Sequence, residues 1–410
     1  MQGRDTADAV VIGGGAIGCA VAYYLAKAKI GKIILVERNS IGSGNTSWAA
    51  SLLTKIRSKK QIIPLVQETY RAIEALEQET QTSIGLRQVG SLHLAASTDT
   101  EDQLNNLTSI ARSFNIPYHA VDHQEVQKML PWITVDEFKK SIFMPEDAFQ
   151  DAYVLANSYA RCASRRGVKI WQNAEVTNIH HKGARIEGVQ LGETSISSPI
   201  VIDAAGAWAN LLSLKLGIPL PMAPVRSNYW ITETNPLLFP PEQPITILPD
   251  ASAYARPETG ALLFGLREKT SAHFHPQELP ADLHGFTFGD PEDKWSILVD
   301  QGPKLHRFFP EFDKIGIAHY ISGVSTYTPD GLFILGNLSE MEGFYAATGC
   351  SGAGVAASGG MGRAIAELVS GQSPFCSLDS FRIDRFGKID PLSTSFRQIC
   401  ADARSNKTSG

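Results

Sequence analysis

Three glycines near the N-terminus have the spacing of a phosphate-binding turn. Gly13, Gly15 and Gly18 form a G-x-G-x-x-G pattern directly after an apolar run, Ala9–Ile12. The first glycine permits a tight turn, the second lets the backbone approach a pyrophosphate, and the third lets a helix pack closely on a strand. Glu37 follows a second apolar run, where a carboxylate accepts hydrogen bonds from a ribose diol. The pattern predicts a dinucleotide site and leaves FAD and NAD both open.

A strand, a helix and a second strand must hold these residues in place. We predict a buried strand over Ala9–Ile12, a helix over residues 19–28 and a parallel strand over Ile33–Val36. The N–H groups and the dipole at the start of that helix favour the negative charge of a phosphate. The first forty residues therefore read as one βαβ nucleotide-binding unit.

Four later segments are rich in glycine, alanine and hydroxyl residues. They are SIGSGNTSWAASLL (40–53), VIDAAGAWAN (201–210), TPDG (328–331) and GFYAATGCSGAGVAASGGMG (343–362). In this order they resemble the flavin-contacting segments of the D-amino acid oxidase, glycine oxidase and sarcosine oxidase superfamily. The resemblance covers about residues 8–371, and GVSTYTPDG around Tyr327 is most similar to the sarcosine and dimethylglycine dehydrogenase branch. It implies that the cofactor is FAD.

The same resemblance implies which residues contact FAD. The first group comprises Gly13, Gly15, Ala16, Ile17, Gly18, Glu37, Arg38, Gly44, Asn45, Thr46, Ser47, Ala49, Ala50, Ser51 and Leu52. The second comprises Val176, Ala205, Gly206, Trp208, Gly349, Ser351, Gly352, Ala353, Gly354 and Val355. Some relatives attach flavin through a histidine or cysteine where this chain has Ala49 and Gly323, so we expect non-covalent FAD. A helix N-terminus within 349–355 would stabilise charge on reduced flavin, although a simple packing turn is the alternative.

The resemblance also implies an α/β fold with two domains. A discontinuous, glutathione-reductase-type FAD domain would comprise residues 1–90, 150–218 and 318–372. An antiparallel sheet with helices would form the substrate domain from residues 91–149 and 219–317, followed by a partly exposed tail, 373–410. Within the first domain, we predict a strand over residues 174–179.

The substrate side departs from the family pattern. Relatives clamp the substrate carboxylate with an arginine a few residues before the TPDG turn, where this chain has Ser325. Tyr327 would point into the site, and a buried core tyrosine is the alternative. A replacement cation would come from a predicted substrate-domain strand, and we favour Arg267, which stands where sarcosine oxidases carry a lysine that promotes reaction with oxygen. The other candidates are Arg226, Arg256, Lys269, His273 and His275.

The implied reaction is oxidation of the C–N bond of a small amine or amino acid by hydride transfer to flavin N5. The imine that forms would then hydrolyse. A secondary or N-methyl amino acid is the preferred substrate, with a D-amino acid or glycine second. Oxidation of a 2-hydroxy acid and a non-catalytic flavin-binding subunit remain alternatives, because a fold does not fix its chemistry. Oxygen and another electron acceptor both remain open.

Composition excludes several classes of partner. The formal net charge is −5 and the basic residues are scattered, so the sequence has no basic cluster of the kind that binds nucleic acid or an anionic membrane. Glycines interrupt the apolar N-terminal run, so we expect no transmembrane segment. Five distant cysteines predict reduced thiols in the cytoplasm, with Cys350 a small buried thiol near the flavin. The histidines show no ligand spacing, so no metal site is predicted.

Overall fold

The computed structural model describes residues 4–283 and 293–407. The first three residues of the predicted FAD domain lie outside the described residues. So do residues 284–292 of the predicted substrate domain and the last three residues of the predicted tail.

The described chain combines helices with runs of consecutive strands. The helices are α1 (Ala16–Lys27), α2 (Ile63–Thr80), α3 (Thr98–Ser113), α4 (His123–Met129), α5 (Ala152–Arg165), α6 (Ala209–Ser213), α7 (Asp293–His306), α8 (Gly354–Val369) and α9 (Thr394–Ser405). The strands are β1 (Arg4–Thr6), β2 (Ala9–Ile12), β3 (Ile33–Val36), β4 (Leu52–Leu53), β5 (Ser91–Ala95), β6 (His119–Ala120), β7 (Lys140–Met144), β8 (Ala148–Phe149), β9 (Lys169–Trp171), β10 (Asn178–Lys182), β11 (Arg185–Leu191), β12 (Thr194–Ser197), β13 (Val201–Asp203), β14 (Ala223–Thr232), β15 (Ile245–Leu248), β16 (Ala253–Glu258), β17 (Ala261–Leu266), β18 (Ile317–Tyr327), β19 (Ile334–Asn337) and β20 (Phe344–Thr348).

The glycine turn belongs to a six-stranded sheet of order β19-β20-β13-β2-β3-β9, parallel except for β19. Helices α1, α2, α5 and α8 cover one face, and the four-stranded sheet β1-β12-β11-β10 lies over the other. Both faces are therefore buried, which explains the continuous apolar runs of β2 and β3. The predicted α/β fold class is confirmed.

Two local predictions differ from the structure. Helix α1 begins at Ala16, three residues before the predicted start, because Gly15 is already its N-cap. The predicted strand over residues 174–179 is wrong: residues 174–177 are irregular, and β10 begins at Asn178 in the four-stranded sheet. The Ala174 N–H instead donates to the Glu37 carbonyl, so this segment is bonded to the end of β3.

The second body is an eight-stranded sheet of order β18-β14-β17-β16-β15-β5-β7-β6. Its pairs are antiparallel except for β15 and β5, which run parallel. An aromatic core, including Trp230, Phe264 and Phe309, packs against its strands. The predicted domain boundary at residue 318 assigns most of β18 to the FAD domain, yet β18 pairs with β14 along its length.

The C-terminal tail is packed against this sheet. Helix α9 lies on β14 and β18, and its Cys400 and Ala401 are fully buried against Val225 and Tyr327. Arg404, one turn later, is only 4% exposed. The tail predicted to be partly exposed therefore contributes a buried face that packs against β14 and β18.

None of the helices in the described ranges is both long and apolar enough to cross a membrane.

Candidate active site

A cavity of about 450 Å³ lies between the six-stranded sheet and the eight-stranded sheet. One end, the nucleotide end, contains the glycine turn together with Glu37, Arg38 and Trp208. The other end, the cationic chamber, is lined by Arg57, Tyr254, Arg267, Tyr327, Arg404 and Lys407. The cavity volume lies within the range of about 300–1,000 Å³ that is typical of small-molecule sites.

The glycine turn leaves the start of α1 open. Gly13 has a φ of +103°, and a Cβ there would lie 2.5 Å from the Ala204 carbonyl oxygen. Among the described residues, the one atom within 4 Å of a Cβ added at Gly15 is the Thr46 hydroxyl oxygen, at 3.1 Å. Gly15 is also the N-cap and has no side chain, and the Ala16 N–H donates to the Thr46 hydroxyl at 3.0 Å, so the next amides of α1 have no capping side chain from Gly15. An anion could therefore approach the backbone at Gly15.

Glu37 is held in a fixed orientation beside the turn. Its carboxylate accepts hydrogen bonds from the Gly14 N–H at 2.6 Å and the Asn39 N–H at 2.8 Å. The Arg38 guanidinium stacks 3.8 Å from the Trp208 ring centroid, and burial lowers the pKa of Arg38. This end thus presents a carboxylate for a diol beside a planar cation–π pair.

Two buried polar atoms at the nucleotide end have no hydrogen-bond partner among residues 4–283 and 293–407. They are Asn45 Oδ1 and Trp208 Nε1. Buried polar groups are nearly always satisfied, so each marks a place for a ligand atom. The open helix start, the fixed carboxylate and these unpaired atoms together fit FAD, which carries a pyrophosphate, a ribose diol and polar rings.

The cationic chamber contains two buried guanidinium groups without a hydrogen-bonded partner in the described chain. Arg57 is 4% exposed and Arg267 is 8% exposed, and neither side chain forms a hydrogen bond or an ion pair with a described residue. Burial lowers the pKa of Arg57 to about 10, and burial also lowers the pKa of Arg267. Both groups stay charged at neutral pH, so the chamber favours an anionic ligand.

Arg226 and Arg404, near this end of the cavity, share one carboxylate as their hydrogen-bond acceptor. Glu268 accepts from Arg226 at 2.6 Å and from Arg404 at 3.2 Å. Arg404 also donates to the Ser271 hydroxyl at 2.9 Å. Arg226, one of the predicted replacement cations, is thus held in a buried ion pair and does not line the cavity.

The remaining predicted cations also lie outside the cavity lining. Arg256 donates to the Ala50 carbonyl at 2.8 Å and to Glu258 at 2.5 Å. Lys269, His273 and His275 do not line the cavity either. Of the six predicted cations, the structure brings Arg267 alone into the cavity.

The structure places both predicted substrate-facing residues of β18 on the cavity wall. Tyr327 is 4% exposed, and burial raises the pKa of its hydroxyl. Ser325 Oγ lies 3.8 Å from Cys350 Sγ, and both residues line the cavity. Cys350, expected to be buried, is half-buried.

Most of the predicted FAD residues line the cavity as well. The exceptions are Gly18, Ser47, Gly349 and Ser351. Gly18 packs against the Gly13 carbonyl, where an added Cβ would lie at 1.9 Å, and Ser47 donates to backbone carbonyls of its own loop. Ala49 and Gly323, the positions compared with covalent attachment sites, both line the cavity.

Sequence reasoning missed three cations of the chamber. Arg57 follows the predicted flavin loop by four residues, a closeness that could have suggested it. Arg404 and Lys407 belong to the tail, and no local pattern connects them to a site almost 80 residues earlier in the chain at Tyr327. Only the packing of α9 on β14 and β18 brings them there.

Replacing Asp203 with asparagine is expected to raise stability at alkaline pH. Burial raises the pKa of Asp203 to about 7, and its only hydrogen bond among the described residues is from the Ala205 N–H at 3.0 Å. The unfolded value is about 3.9, so the folded chain holds the extra proton between about pH 4 and 7. The free energy of unfolding therefore falls as pH rises through this window. The Asp203→Asn substitution would remove that fall, by an amount on the order of 2–4 kcal/mol.

Urea unfolding at pH 5 and pH 8 would measure this effect. The matched control is Asp136→Asn, which changes an exposed carboxylate. An equal pH dependence in Asp203→Asn and the unchanged chain would contradict the assignment.

Comparison with known proteins places the chain in a family. The family model described as "FAD dependent oxidoreductase" (DAO) matches residues 8–368. Human mitochondrial sarcosine dehydrogenase is 29% identical over 388 residues, which are 93% of this chain and 42% of that protein. Glycine oxidase of Geobacillus kaustophilus (strain HTA426) is 25% identical over 394 residues, covering 93% of this chain and 98% of that one.

A solved structure agrees with the fold. L-proline dehydrogenase from P. horikoshii superposes with a TM-score of 0.82 at 22% identity, covering 93% of this chain and 98% of that one. The chain spans less than half the length of the human sarcosine dehydrogenase that it matches. The predicted resemblance is confirmed, and the chain belongs to the DAO family of FAD-dependent oxidoreductases.

Proposed function

We propose that this chain oxidises the C–N bond of a small amino acid and prefers a secondary or N-methyl amine. The observation that carries the proposal is the buried guanidinium of Arg267, which has no hydrogen-bonded partner among the described residues and lies in the cavity that begins at the glycine turn. A carboxylate is the natural partner for such a group, because Arg–carboxylate pairs are charge-assisted and frequently bidentate.

The nucleotide end is suited to hold FAD. The amides at the start of α1 would receive the pyrophosphate, and Glu37 would accept hydrogen bonds from the ribose. Bound FAD would supply hydrogen-bond partners for Asn45 Oδ1 and Trp208 Nε1, which have none among the described residues. When bound, FAD supplies the two-electron acceptor for the substrate hydride. With Ala49 and Gly323 on the wall, we infer that binding is non-covalent.

The chamber is suited to orient the substrate. Arg267 and Arg57 would bind its carboxylate, which fixes the position of the α-carbon and the amine. Tyr327 and Tyr254 stay protonated, because burial raises the pKa of both hydroxyls. Their rings and hydroxyls would exclude water while leaving the amine lone pair free. The residues therefore contribute binding, orientation and water exclusion.

The preference for an N-methyl or secondary amine is supported by the sequence around Tyr327. GVSTYTPDG is similar to the sarcosine and dimethylglycine dehydrogenase branch, and human sarcosine dehydrogenase is among the relatives. The electron acceptor, oxygen or another oxidant, follows from neither observation. A reducing compartment such as the cytoplasm is supported by five unpaired cysteines.

Anaerobic flavin bleaching tests the proposal. The FAD-loaded protein would be mixed with N-methyl amino acids, D-amino acids, glycine and matched 2-hydroxy acids, and absorbance near 450 nm recorded. We expect bleaching by amino acids and fastest bleaching by an N-methyl compound. Bleaching by 2-hydroxy acids alone would change the reaction class. An intact spectrum across the panel would instead support a flavin-binding subunit without this activity.

A further inference from the structure

The positive charge of the cationic chamber exceeds what one carboxylate requires. Three arginines and one lysine line it: Arg57, Arg267, Arg404 and Lys407. The carboxylates that line the same cavity, Glu37 and Glu175, act on Arg38 at the nucleotide end. In the part of the chain that the structure describes, Glu268 is the one carboxylate hydrogen-bonded to a chamber cation, and it is shared with Arg226. Asp147 acts on Arg57 through its charge alone, since its own hydrogen bonds come from the Lys55 N–H and the Ser91 hydroxyl.

Lys407 reaches the chamber from just beyond the end of α9. Its Nζ donates to the Ser351 carbonyl at 3.2 Å, which is its only hydrogen bond to a described residue. Gly352 separates it from the substrate wall: a Cβ there would lie 2.5 Å from the Tyr327 hydroxyl and 3.5 Å from Lys407 Nζ. The ammonium and the tyrosine hydroxyl thus face the same small space beside the glycine-rich segment.

A single carboxylate leaves this arrangement incompletely neutralised. Bound to Arg267 and Arg57, it would give both guanidinium groups a partner but would supply one negative charge. Lys407 would still face only a carbonyl oxygen. Burial, together with the charges of Arg57, Arg267 and Arg404, lowers the pKa of Lys407 well below its usual range. A second carboxylate beside Lys407 Nζ would raise that pKa again and favour the ammonium form.

We propose that the substrate of this chamber is an amino acid with two carboxylates, the first bound by Arg267 and Arg57 and the second bound by Lys407. This inference rests on the proposed amine oxidation and deepens it, because it names the substrate class. It makes Lys407 a specificity-determining residue that contacts the substrate away from the reacting carbon. The geometry that carries it is the convergence of three incompletely paired cations from separate parts of the chain.

A matched set of substrates tests the proposal on the FAD-loaded protein. N-methylaspartate carries two carboxylates, N-methylasparagine replaces the second with an amide of similar size, and N-methylglycine lacks it. Anaerobic bleaching would give the apparent Kd and the rate for each compound. We expect N-methylaspartate to bind at least about 30-fold more tightly than N-methylasparagine, because the amide cannot neutralise Lys407.

Substitution of Lys407 locates the effect. Lys407→Met should lower the ratio of the apparent Kd for N-methylasparagine to that for N-methylaspartate on the order of 10-fold or more. Lys388→Met, an exposed lysine of the same tail, is the control and should change neither value. Bound FAD per chain and the urea midpoint would report whether either variant is misfolded.

A binding measurement independent of turnover completes the test. Titration calorimetry with succinate and with its monoamide should show preference for succinate in the unchanged chain and lose that preference in Lys407→Met. Equal or tighter binding of the amide or of N-methylglycine would overturn the two-carboxylate proposal while amine oxidation stands. Bleaching by no amine at all would overturn both proposals together.

Discussion

Replacing Arg267 with methionine is expected to lower kcat/KM for the amino-acid substrate on the order of 10²-fold or more. Truncating one partner of a buried charged pair costs about 2–5 kcal/mol, because the other charge is left unpaired. Arg267 is 8% exposed and its side chain makes no hydrogen bond to any described residue, so its removal breaks no internal ion pair. Steady-state kinetics and bound FAD per chain would measure the effect, and FAD content should stay unchanged.

Two further variants make this prediction specific. Arg267→Lys keeps the charge but loses the planar fork, and we expect it to recover part of the activity. Arg307→Met removes an exposed arginine of the same body that is paired with Glu137, and it should leave kcat/KM within about twofold. An Arg267→Met enzyme with unchanged KM and kcat would show that the carboxylate binds elsewhere.

Replacing Gly15 with valine is expected to abolish FAD binding while the chain still folds. Gly15 has φ −72° and ψ 178°, a conformation that valine adopts readily. A Cβ at this position would lie 3.1 Å from the Thr46 hydroxyl oxygen, a tight contact that a small shift of the Thr46 side chain relieves. The two methyl groups would occupy the space beside the α1 amides that a pyrophosphate needs. We expect affinity for FAD to fall by at least about 10²-fold, which corresponds to roughly 2.7 kcal/mol.

The flavin absorbance of the purified protein and titration of the apoprotein with FAD would measure this loss. Gly302→Ala provides the control, because a Cβ there makes an ordinary contact of 3.5 Å with Phe312, far from the glycine turn. Far-ultraviolet circular dichroism separates loss of cofactor from loss of fold. A yellow Gly15→Val protein with normal FAD affinity would contradict the assignment of this turn to the pyrophosphate.

These two variants affect opposite ends of one cavity, which allows binding of cofactor and binding of substrate to be measured separately. Gly15→Val should remove FAD and therefore all bleaching. Arg267→Met should retain FAD and lose affinity for substrate. If both variants lost FAD, Arg267 would have a role in holding the cofactor, and the substrate carboxylate would need a different partner.

The nucleotide end was predictable because its determinants are local. A glycine turn, the strands β2 and β3 and the carboxylate of Glu37 lie within 30 residues of one another. At Gly13, a positive φ and the close approach to Ala204 restrict the position to glycine. The strand prediction over residues 174–179 was wrong because the determinant there is not local. The Ala174 N–H donates to the carbonyl of Glu37, which lies far away in the sequence.

Sequence by itself determined the dinucleotide turn, the α/β class and the family, because each follows from motifs that are contiguous or in fixed order. It also singled out Arg267 among six cations. Only the tertiary structure decided which charges are paired. Glu268 accepts hydrogen bonds from Arg226 and Arg404, which belong to distant segments, whereas the Arg267 side chain has no hydrogen-bonded partner in the described chain. The tail likewise gave no local signal. Helix α9 is positioned by the burial of Cys400 and Ala401 against β14 and β18. Because of that packing, Arg404 and Lys407 line the chamber.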